Sequence, residues 1–153
     1  MKSEQFIEIH NESAEQILLD GCVVKYKNKK HNLSGVLPVD GYLVYYPDVN
    51  GFSLTKNPTN GNTLEIVDVD GSVVDDLMYP NGQRKGTAYA LIGYDLAGEE
   101  IWKVTYAPTP GAPNNYQEYK TCEVGRVLNE ATGNCVKVAA VTEKICKIGR
   151  AHV

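Results

Sequence analysis

The chain has 153 residues, of which 42% are hydrophobic and 22% charged, and its formal net charge is −4. These values are ordinary for a folded soluble protein, and the length gives room for one domain plus a short appendage. Residues 117–153 carry six basic and four acidic side chains, which leaves nine basic and fifteen acidic ones in the preceding body. Because binding to phosphate backbones relies on Lys and Arg displacing counterions, nucleic acid is an unfavourable partner for this acidic body.

The sequence gives two opposing indications of cellular location. No apolar run approaches the ~18 residues that a membrane helix needs, and residues 1–10 lack the apolar core of a secretory signal. The cysteines near the C-terminus are instead typical of an oxidising compartment. We therefore expect an extracytoplasmic or cell-surface protein whose signal lies outside this sequence, with a cytoplasmic location as the alternative.

Short strand patterns separated by turn residues run from the N-terminus to residue 106. No stretch shows helical periodicity over ten or more residues, and the ten Tyr favour strands. Regularly spaced short strands of this kind predict a β-sandwich or barrel. In chain order, the predicted strands are 5–11, 17–19, 22–26, 40–46, the two arms of a hairpin over 63–79, 87–94 and 101–106.

The hairpin over 63–79 is the strongest local signal in the chain. Its centre is Asp70-Gly71, a dipeptide that supplies the positive φ angles of a tight primed turn. If Val73 faces the core, strict alternation sends Asp75 inward as well, and a buried unpaired carboxylate is costly. We therefore expect Asp75 to be hydrogen-bonded, or a β-bulge to shift the register there.

A locally basic segment begins within the third predicted strand and continues beyond it. It contains Lys25, Lys27, Lys29, Lys30 and His31. We interpret it as a solvated edge strand or loop, since lysines discourage edge-to-edge pairing. An anion site is the alternative interpretation.

A series of motifs runs in a fixed order along the first three quarters of the chain. In order, the motifs are QFIEIHN (5–11), LLDGC (18–22), GYLV (41–44), GNTLEIVD (61–68), DGSVVDDLMY (70–79) and W-x-x-T ahead of PTPGAPN, which ends at Asn114. The series resembles the lamin-tail domains of bacteria, and the final motif, with Trp102 and Thr105 preceding a Pro-rich segment, is the most specific. The resemblance implies an immunoglobulin-like β-sandwich over residues 1–116 and a role in binding or interaction, without catalytic residues.

Two departures from the lamin-tail pattern affect the prediction. Only residues 1–4 precede the first motif, so we expect the first strand of the sandwich to be missing. Cys22 occupies the position of a customary Trp, and we expect it to be a buried small hydrophobe. A sandwich without its first strand would leave an open sheet edge.

Residues 117–153 read as an irregular, cysteine-containing tail. A disulfide between Cys122 and Cys135 would staple a segment too small to build its own core, and closing such a loop is worth about 3 kcal/mol. Zinc binding by these two residues with Cys146 and His152 is an alternative, although the C-x₂₋₄-C spacing is absent. Free thiols in a disordered tail are the other alternative.

The tail also contains an internal repeat. The pattern of residues 122–126 returns at 146–150, an offset of 24 residues, and the second unit stops before a counterpart of Cys135. We expect the chain to be truncated at both ends. The tail loosely resembles short cysteine repeats in uncharacterised bacterial surface proteins.

Known catalytic signatures are absent from the sequence. It contains no G-x-S-x-G elbow, P-loop or H-E-x-x-H motif. We therefore expect no enzyme activity, no cofactor and no metal. The residues weighed for other chemistry are the scattered His10, His31 and His152, the calcium-like set Asp68, Asp70, Asp75 and Asp76, and Tyr42, Tyr45 and Tyr46, which could form a carbohydrate- or peptide-binding face.

These observations predict a non-enzymatic interaction or tethering module of a larger extracytoplasmic bacterial protein. Its partner would be another protein or a surface polymer. One alternative is an accessory domain of a nuclease or hydrolase whose catalytic part lies elsewhere. The other is a structural stalk unit, which a longer series of cysteine repeats would favour.

Overall fold

The computed structural model of the protein describes residues 5–47, 51, 53–55 and 63–137. The chain divides into two compact units, residues 1–116 and 117–153. Strands joined by turns make up the described residues, with no α-helix among them, so the all-β prediction is confirmed. Within these residues there is accordingly no helix of the length and hydrophobicity needed to cross a membrane.

Twelve strands occur in the part of the chain that the structure describes. In chain order they are β1 (Ile7–His10), β2 (Ile17–Leu18), β3 (Val23–Tyr26), β4 (Lys29–Asn32), β5 (Val36–Leu37), β6 (Tyr42–Tyr45), β7 (Thr63–Val67), β8 (Val73–Met78), β9 (Ala88–Tyr94), β10 (Glu100–Thr105), β11 (Arg126–Asn129) and β12 (Asn134–Lys137).

The strands of the first unit form one larger sheet and three antiparallel pairs. The larger sheet is antiparallel and has the order β4-β3-β7-β8. The pairs are β1 with β6, β2 with β5, and β9 with β10. All seven predicted strand regions contain strands.

The core lies between the four-stranded sheet and the β1–β6 pair. Val24 and Tyr26 of β3 are almost completely buried, and Leu64 pairs with Tyr26 on the same face. The inward residues of the opposing pair pack against this face, which gives a two-layer, sandwich-like arrangement. These opposing residues are Ile7, Ile9, Leu43 and Tyr45.

The basic segment is an edge strand, as predicted. β4 pairs with β3 alone among the described strands, and its Lys29 and Lys30 are exposed. Lys25 on β3 forms an ion pair with Glu65 of β7, with Nζ and Oε2 2.7 Å apart. Lys27 lies in the turn between the strands with φ of 56° and its ammonium over the Tyr26 ring.

The turn of the central hairpin differs from the predicted one. The Asp68 N–H donates to Ser72 O at 2.8 Å and the Gly71 N–H to Asp68 O at 3.0 Å, so three residues lie between the last bonded pair. Gly71 has φ of 87° whereas Asp70 has no positive φ. A two-residue primed turn is therefore wrong, and the geometry is that of a type I turn followed by a left-handed glycine.

The predicted β-bulge is present in β8. Ile66 faces Asp75 but Val67 faces Val73, which leaves Val74 as the extra residue. The bulge turns Val73 outward, where 51% of its surface is exposed, so the assumption that it faces the core is wrong. Asp75 stays on the core-facing side opposite Ile66, yet it is exposed because β8 is the rim of the sheet.

A closed ring of hydrogen bonds joins three segments inside the core. The Thr55 N–H donates to Tyr26 Oη at 3.3 Å, and Tyr79 Oη donates to Thr55 O at 2.9 Å. The two hydroxyls are 2.7 Å apart, and this pattern makes Tyr26 the donor to Tyr79. Beside the ring, the Gln5 side-chain amide donates to Leu54 O and accepts from its N–H. Residues 53–55 are thus held to the core from two sides.

Replacing Tyr79 by Phe should lower the free energy of unfolding by about 1–3 kcal/mol, because it removes the acceptor of the buried Tyr26 hydroxyl and the phenol that donates to Thr55 O. Burial and the Tyr26 hydroxyl raise the Tyr79 pKa above its ordinary value of 10.0. The neutral phenol is therefore favoured by folding, so its contribution is complete below pH 10 and decreases as the pH rises above that value.

Urea unfolding at neutral pH and at successively higher pH measures both effects. The matched control is Tyr106→Phe, which lies outside the ring. Equal losses in the two variants, or the same alkaline decrease in Tyr79→Phe as in the unmodified protein, would contradict this role of Tyr79.

The second unit contains a stapled hairpin. β11 pairs with β12, and the turn between them is closed by the Gly133 N–H donating to Asn129 O at 2.7 Å. A disulfide joins Cys122 to Cys135, with the two Cα atoms 5.6 Å apart. The predicted disulfide is therefore present, and it ties the segment before β11 to β12.

Substituting both Cys122 and Cys135 by Ala should open this hairpin, because the crosslink restricts the unfolded segment by about 3 kcal/mol in the chain-entropy model. Amide hydrogen exchange at Val127 and Val136 provides the readout, with Val24 in the first unit as the internal reference. Protection of the hairpin amides that is as strong in the variant as in the parent would show that the disulfide is dispensable.

Candidate interaction surface

The outer face of the β1–β6 pair carries a polar and aromatic surface. Antiparallel neighbours share a face, so Glu8 lies opposite Val44 and His10 opposite Tyr42 on the side away from the core. The His10 and Tyr42 rings are stacked, with centroids 4.2 Å apart and planes 4° from parallel. The stack gives this face a flat aromatic element held by strand pairing.

Two carboxylates flank the His10 ring. Nε2 is 2.7 Å from Asp40 Oδ1, and Nδ1 is 3.5 Å from Glu12 Oε1. Nε2 is within hydrogen-bonding distance of Asp40, whereas the longer Nδ1–Glu12 separation is a charge contact that attracts the ring when it is protonated. Asp40 is held in a left-handed conformation with φ of 55°, and its N–H donates to Asn11 O.

Glu12 also connects this face to the β9–β10 hairpin. Tyr94 Oη, at the end of β9, donates to Glu12 Oε2 at 2.6 Å. This hydrogen bond raises the pKa of Tyr94 to about 12, and partial desolvation and the charges of Glu12 and Glu100 act in the same direction. Glu12 therefore bridges two groups from different strand pairs while remaining exposed.

More carboxylates extend the negative charge beyond Glu12. The pKa of Asp75 is raised chiefly by partial burial of its carboxyl group, and the charges of Glu100, Asp76 and Glu12 raise it further. Most of the Asp75 surface is exposed. Its side chain nevertheless points to the core-facing side of the sheet, where partial desolvation of the carboxyl group raises the pKa. Hereafter the acidic surface means His10, Glu12, Asp40, Tyr42 and Tyr94.

The buried side chain of Asn11 holds together the loops that carry the acidic surface. It is 1% exposed, and its Nδ2 donates to Glu15 O at 2.8 Å and to Pro38 O at 2.9 Å, with Leu37 O at 3.2 Å. Its Oδ1 accepts from the Ser13 N–H and hydroxyl. One buried amide therefore fixes the two loops that present the flanking carboxylates.

This role of Asn11 was not predicted, although residues 11–15 contain a local signal for part of it. An Asn followed two residues later by Ser is the pattern of an Asx-turn, in which the Asn side chain accepts a backbone hydrogen bond. Its two bonds across to the carbonyl groups of Leu37 and Pro38 depend on tertiary contacts and have no local sequence pattern.

Substituting Asn11 by Ala should reduce the free energy of unfolding by about 2–3 kcal/mol, since it removes a buried amide that donates to the carbonyl groups of Glu15, Leu37 and Pro38. Ser13→Ala is the matched control, because it removes one exposed partner of the same amide and should cost less than ~1 kcal/mol. Denaturant unfolding of the two variants provides the comparison. A similar loss for both variants would contradict the central role of Asn11.

Tyr42, Tyr45 and Tyr46 do not form one binding face. Strand alternation places Tyr42 outside with His10 and turns Tyr45 toward the core, where burial raises its pKa. Tyr46 follows the strand and is 40% exposed. A single aromatic face built from all three is therefore wrong, and only Tyr42 belongs to the acidic surface.

The Pro-rich segment packs against the same outer face. The Gly111 N–H donates to Glu8 Oε2 at 2.5 Å, and a Cβ at Gly111 would lie 3.9 Å from Val44. The buried Thr105 hydroxyl donates to Asn115 O at 2.7 Å, and the Asn114 amide donates to Leu91 O at 2.9 Å. The W-x-x-T and PTPGAPN motifs thus have a structural role, and the segment borders the acidic surface.

The remaining candidate sites from the sequence are the metal sites and His31. Within the described residues, no group of three or more His, Cys, Asp or Glu side chains could hold a metal ion. The zinc alternative fails because Cys122 and Cys135 are joined in the disulfide, while Cys146 and His152 lie outside the described residues. His31 lies on β4, with its ring 5.9 Å from that of Tyr45.

The carboxylates of the calcium-like set serve the hairpin instead. Asp70 Oδ1 accepts from the Ser72 N–H at 2.8 Å and the hydroxyl at 2.6 Å, and these bonds lower the Asp70 pKa. Asp68 Oδ1 accepts from the Val69 N–H at 2.7 Å and lies 3.8 Å from Cys22 Sγ. Cys22 is 8% exposed in the core, as predicted, and burial followed by the Asp68 charge raises its pKa.

Comparison of the chain with known proteins returns no match to a family model, to a curated protein or to a solved structure. The lamin-tail resemblance therefore stays a prediction that rests on the motifs and their order.

Proposed function

We propose that this chain is a non-enzymatic interaction or tethering module of a larger extracytoplasmic bacterial protein, with an immunoglobulin-like sandwich of the lamin-tail type. The acidic surface carries the proposal. Its carboxylates at Glu12 and Asp40 are exposed to solvent, yet both are held in place by hydrogen bonds to Tyr94 and His10. A preorganised set of exposed charges loses little conformational entropy when a partner binds.

The chemistry of this surface favours a cationic partner. Carboxylates accept charge-assisted hydrogen bonds from lysine and arginine, and the flat Tyr42 and Tyr94 rings can contact their aliphatic stems or charged heads. The excess of carboxylates over Lys and Arg in residues 1–116 adds long-range attraction for a positively charged partner. A basic protein segment fits these properties, and an anionic polymer does not.

Two further observations support the location and the fold in this proposal. The Cys122–Cys135 disulfide suits an oxidising, extracytoplasmic compartment. The two-layer packing and the anchored W-x-x-T and PTPGAPN segments agree with a lamin-tail sandwich. An accessory role beside a catalytic domain would use the same surface and remains compatible with this proposal.

Binding of a lysine-rich peptide to the full chain tests the proposal, with a glutamate-rich peptide of equal length for comparison. Fluorescence anisotropy should show tighter binding of the cationic peptide, weakened by added salt because exposed charges are screened. Glu12→Gln and Asp40→Asn should each weaken binding by about three- to tenfold.

Glu99→Gln is the matched control, since it removes an exposed carboxylate of the first unit that lies outside the acidic surface. Affinity that is unchanged in Glu12→Gln and Asp40→Asn, or equal for the two peptides, would overturn the proposed role of this surface.

A further inference from the structure

On the outer face of the four-stranded sheet, the charged side chains change from basic at the β4 edge to acidic at the β8 edge. The register places Lys30, Lys25, Glu65 and Asp76 in one row that crosses β4, β3, β7 and β8. The two central residues form the 2.7 Å ion pair and neutralise each other. Lys30 and Asp76 are exposed at opposite ends of the row, and neither forms an ion pair within the described residues.

Both ends of this row lie on the edge strands of the sheet as it is formed by the described residues. Among the described strands, β4 pairs with β3 alone and β8 with β7 alone. Most side chains of both strands are exposed, including Val73, Val74 and Met78 of β8. An edge strand exposes unpaired N–H and C=O groups, which are a template for pairing with another strand.

The hydrogen-bonding pattern of the sheet shows which backbone N–H and C=O groups of the edge strands point away from the sheet. The Leu33 N–H donates to Cys22 O at 2.8 Å, and bonded and non-bonded pairs alternate along an antiparallel ladder. Lys30 therefore directs its backbone groups away from β3. The same alternation, carried across β3 and β7, makes Asp76 direct its backbone groups away from β7. The Asp76 N–H donates to the neighbouring Asp75 carboxylate, and a strand that pairs with β8 replaces this bond.

The charges distinguish between the possible pairings of two copies. Pairing β4 with a second β4 would bring lysines together, and pairing β8 with a second β8 would bring aspartates together. Like charges opposite each other are destabilising. Pairing β4 of one copy with β8 of another brings Lys30 opposite Asp76 instead. Strand direction alternates across the four strands, so this pairing is antiparallel when the copies have the same orientation.

We propose that a second copy of this chain adds its β4 to the β8 edge, with Lys30 opposite Asp76 as a hydrogen-bonded pair. In this register the Lys30 and Asp76 side chains share the outer face, and His31 lies opposite Asp75 on the core-facing side. The bonding pattern and the shared face both follow from this register, and both agree with the charge complementarity.

The contact is heterologous, so it leaves a β4 edge and a β8 edge available at the ends and permits further addition. β4 has four residues and the Val74 bulge interrupts β8, which limits each contact to a short ladder. Weak, concentration-dependent association follows from an interface this small. The proposal does not rest on the acidic surface, because neither Glu12 nor Asp40 lies on these edges.

Sedimentation velocity of the full chain at increasing concentration tests the proposal. We expect reversible association at low salt that decreases as the ionic strength rises from about 0.05 to 0.5 M. Lys30→Glu and Asp76→Lys should each weaken association by about tenfold, because each places like charges across the contact.

An equimolar mixture of the two single variants provides the decisive comparison. Each variant complements the other at both edges, so the mixture should associate as the unmodified chain does, and the double variant K30E/D76K should do the same. Lys85→Glu and Glu99→Lys are the matched controls, since they change the charge equally at exposed positions away from both edges. Circular dichroism of every variant establishes that it is folded.

Three outcomes would overturn the proposal. The first is a chain that stays monomeric throughout the concentration range. The second is association of the single variants that is as strong as that of the unmodified chain, which would indicate another interface. The third is a chain that remains monomeric but binds the lysine-rich peptide in a manner sensitive to Asp76→Lys, which would assign the β8 edge to a different partner.

Discussion

The hydrogen-bond ring of Tyr26, Tyr79 and Thr55 is the constraint on which the first unit depends. Its three members come from β3, from the residue after β8 and from the segment at 53–55, so the ring closes the core where these segments meet. Two phenols are buried there at little cost, because each hydroxyl both donates and accepts within the ring. The apolar faces of β3 and β7 can therefore pack against β1 and β6 without water reaching the phenols.

The distribution of charge explains why an ordinary all-β core presents distinct surfaces. On the outer face of the β1–β6 pair, carboxylates surround a stacked histidine and tyrosine. On the outer face of the four-stranded sheet, charge passes from lysine at one edge to aspartate at the other. Both patterns follow from strand alternation, which keeps charged side chains outside while their neighbours fill the core. The first surface suits a basic partner and the second a further copy of the chain.

The strand pattern was predictable because it depends on nearest neighbours in sequence. The hairpin over 63–79, the lysine-rich edge and the buried Cys22 all follow from local composition and alternation. The turn type was not predictable from Asp70-Gly71 alone. Ser72 binds the Asp70 carboxylate, and this local bonding suits a turn in which only Gly71 needs a positive φ.

The sequence by itself determined the all-β class and the positions of eight of the twelve described strands, β1–β3 and β6–β10, and it favoured a Cys122–Cys135 disulfide over zinc binding or free thiols. Period-two alternation and cysteine spacing are short-range features, so they can be read along the chain. Only the tertiary structure decided which residues form the acidic surface and which charges meet in one row. Glu12 meets Tyr94 across 82 positions of sequence, and Lys25 meets Glu65 across 40. Such contacts depend on sheet order and register, which pack distant strands side by side and have no signature within any single segment.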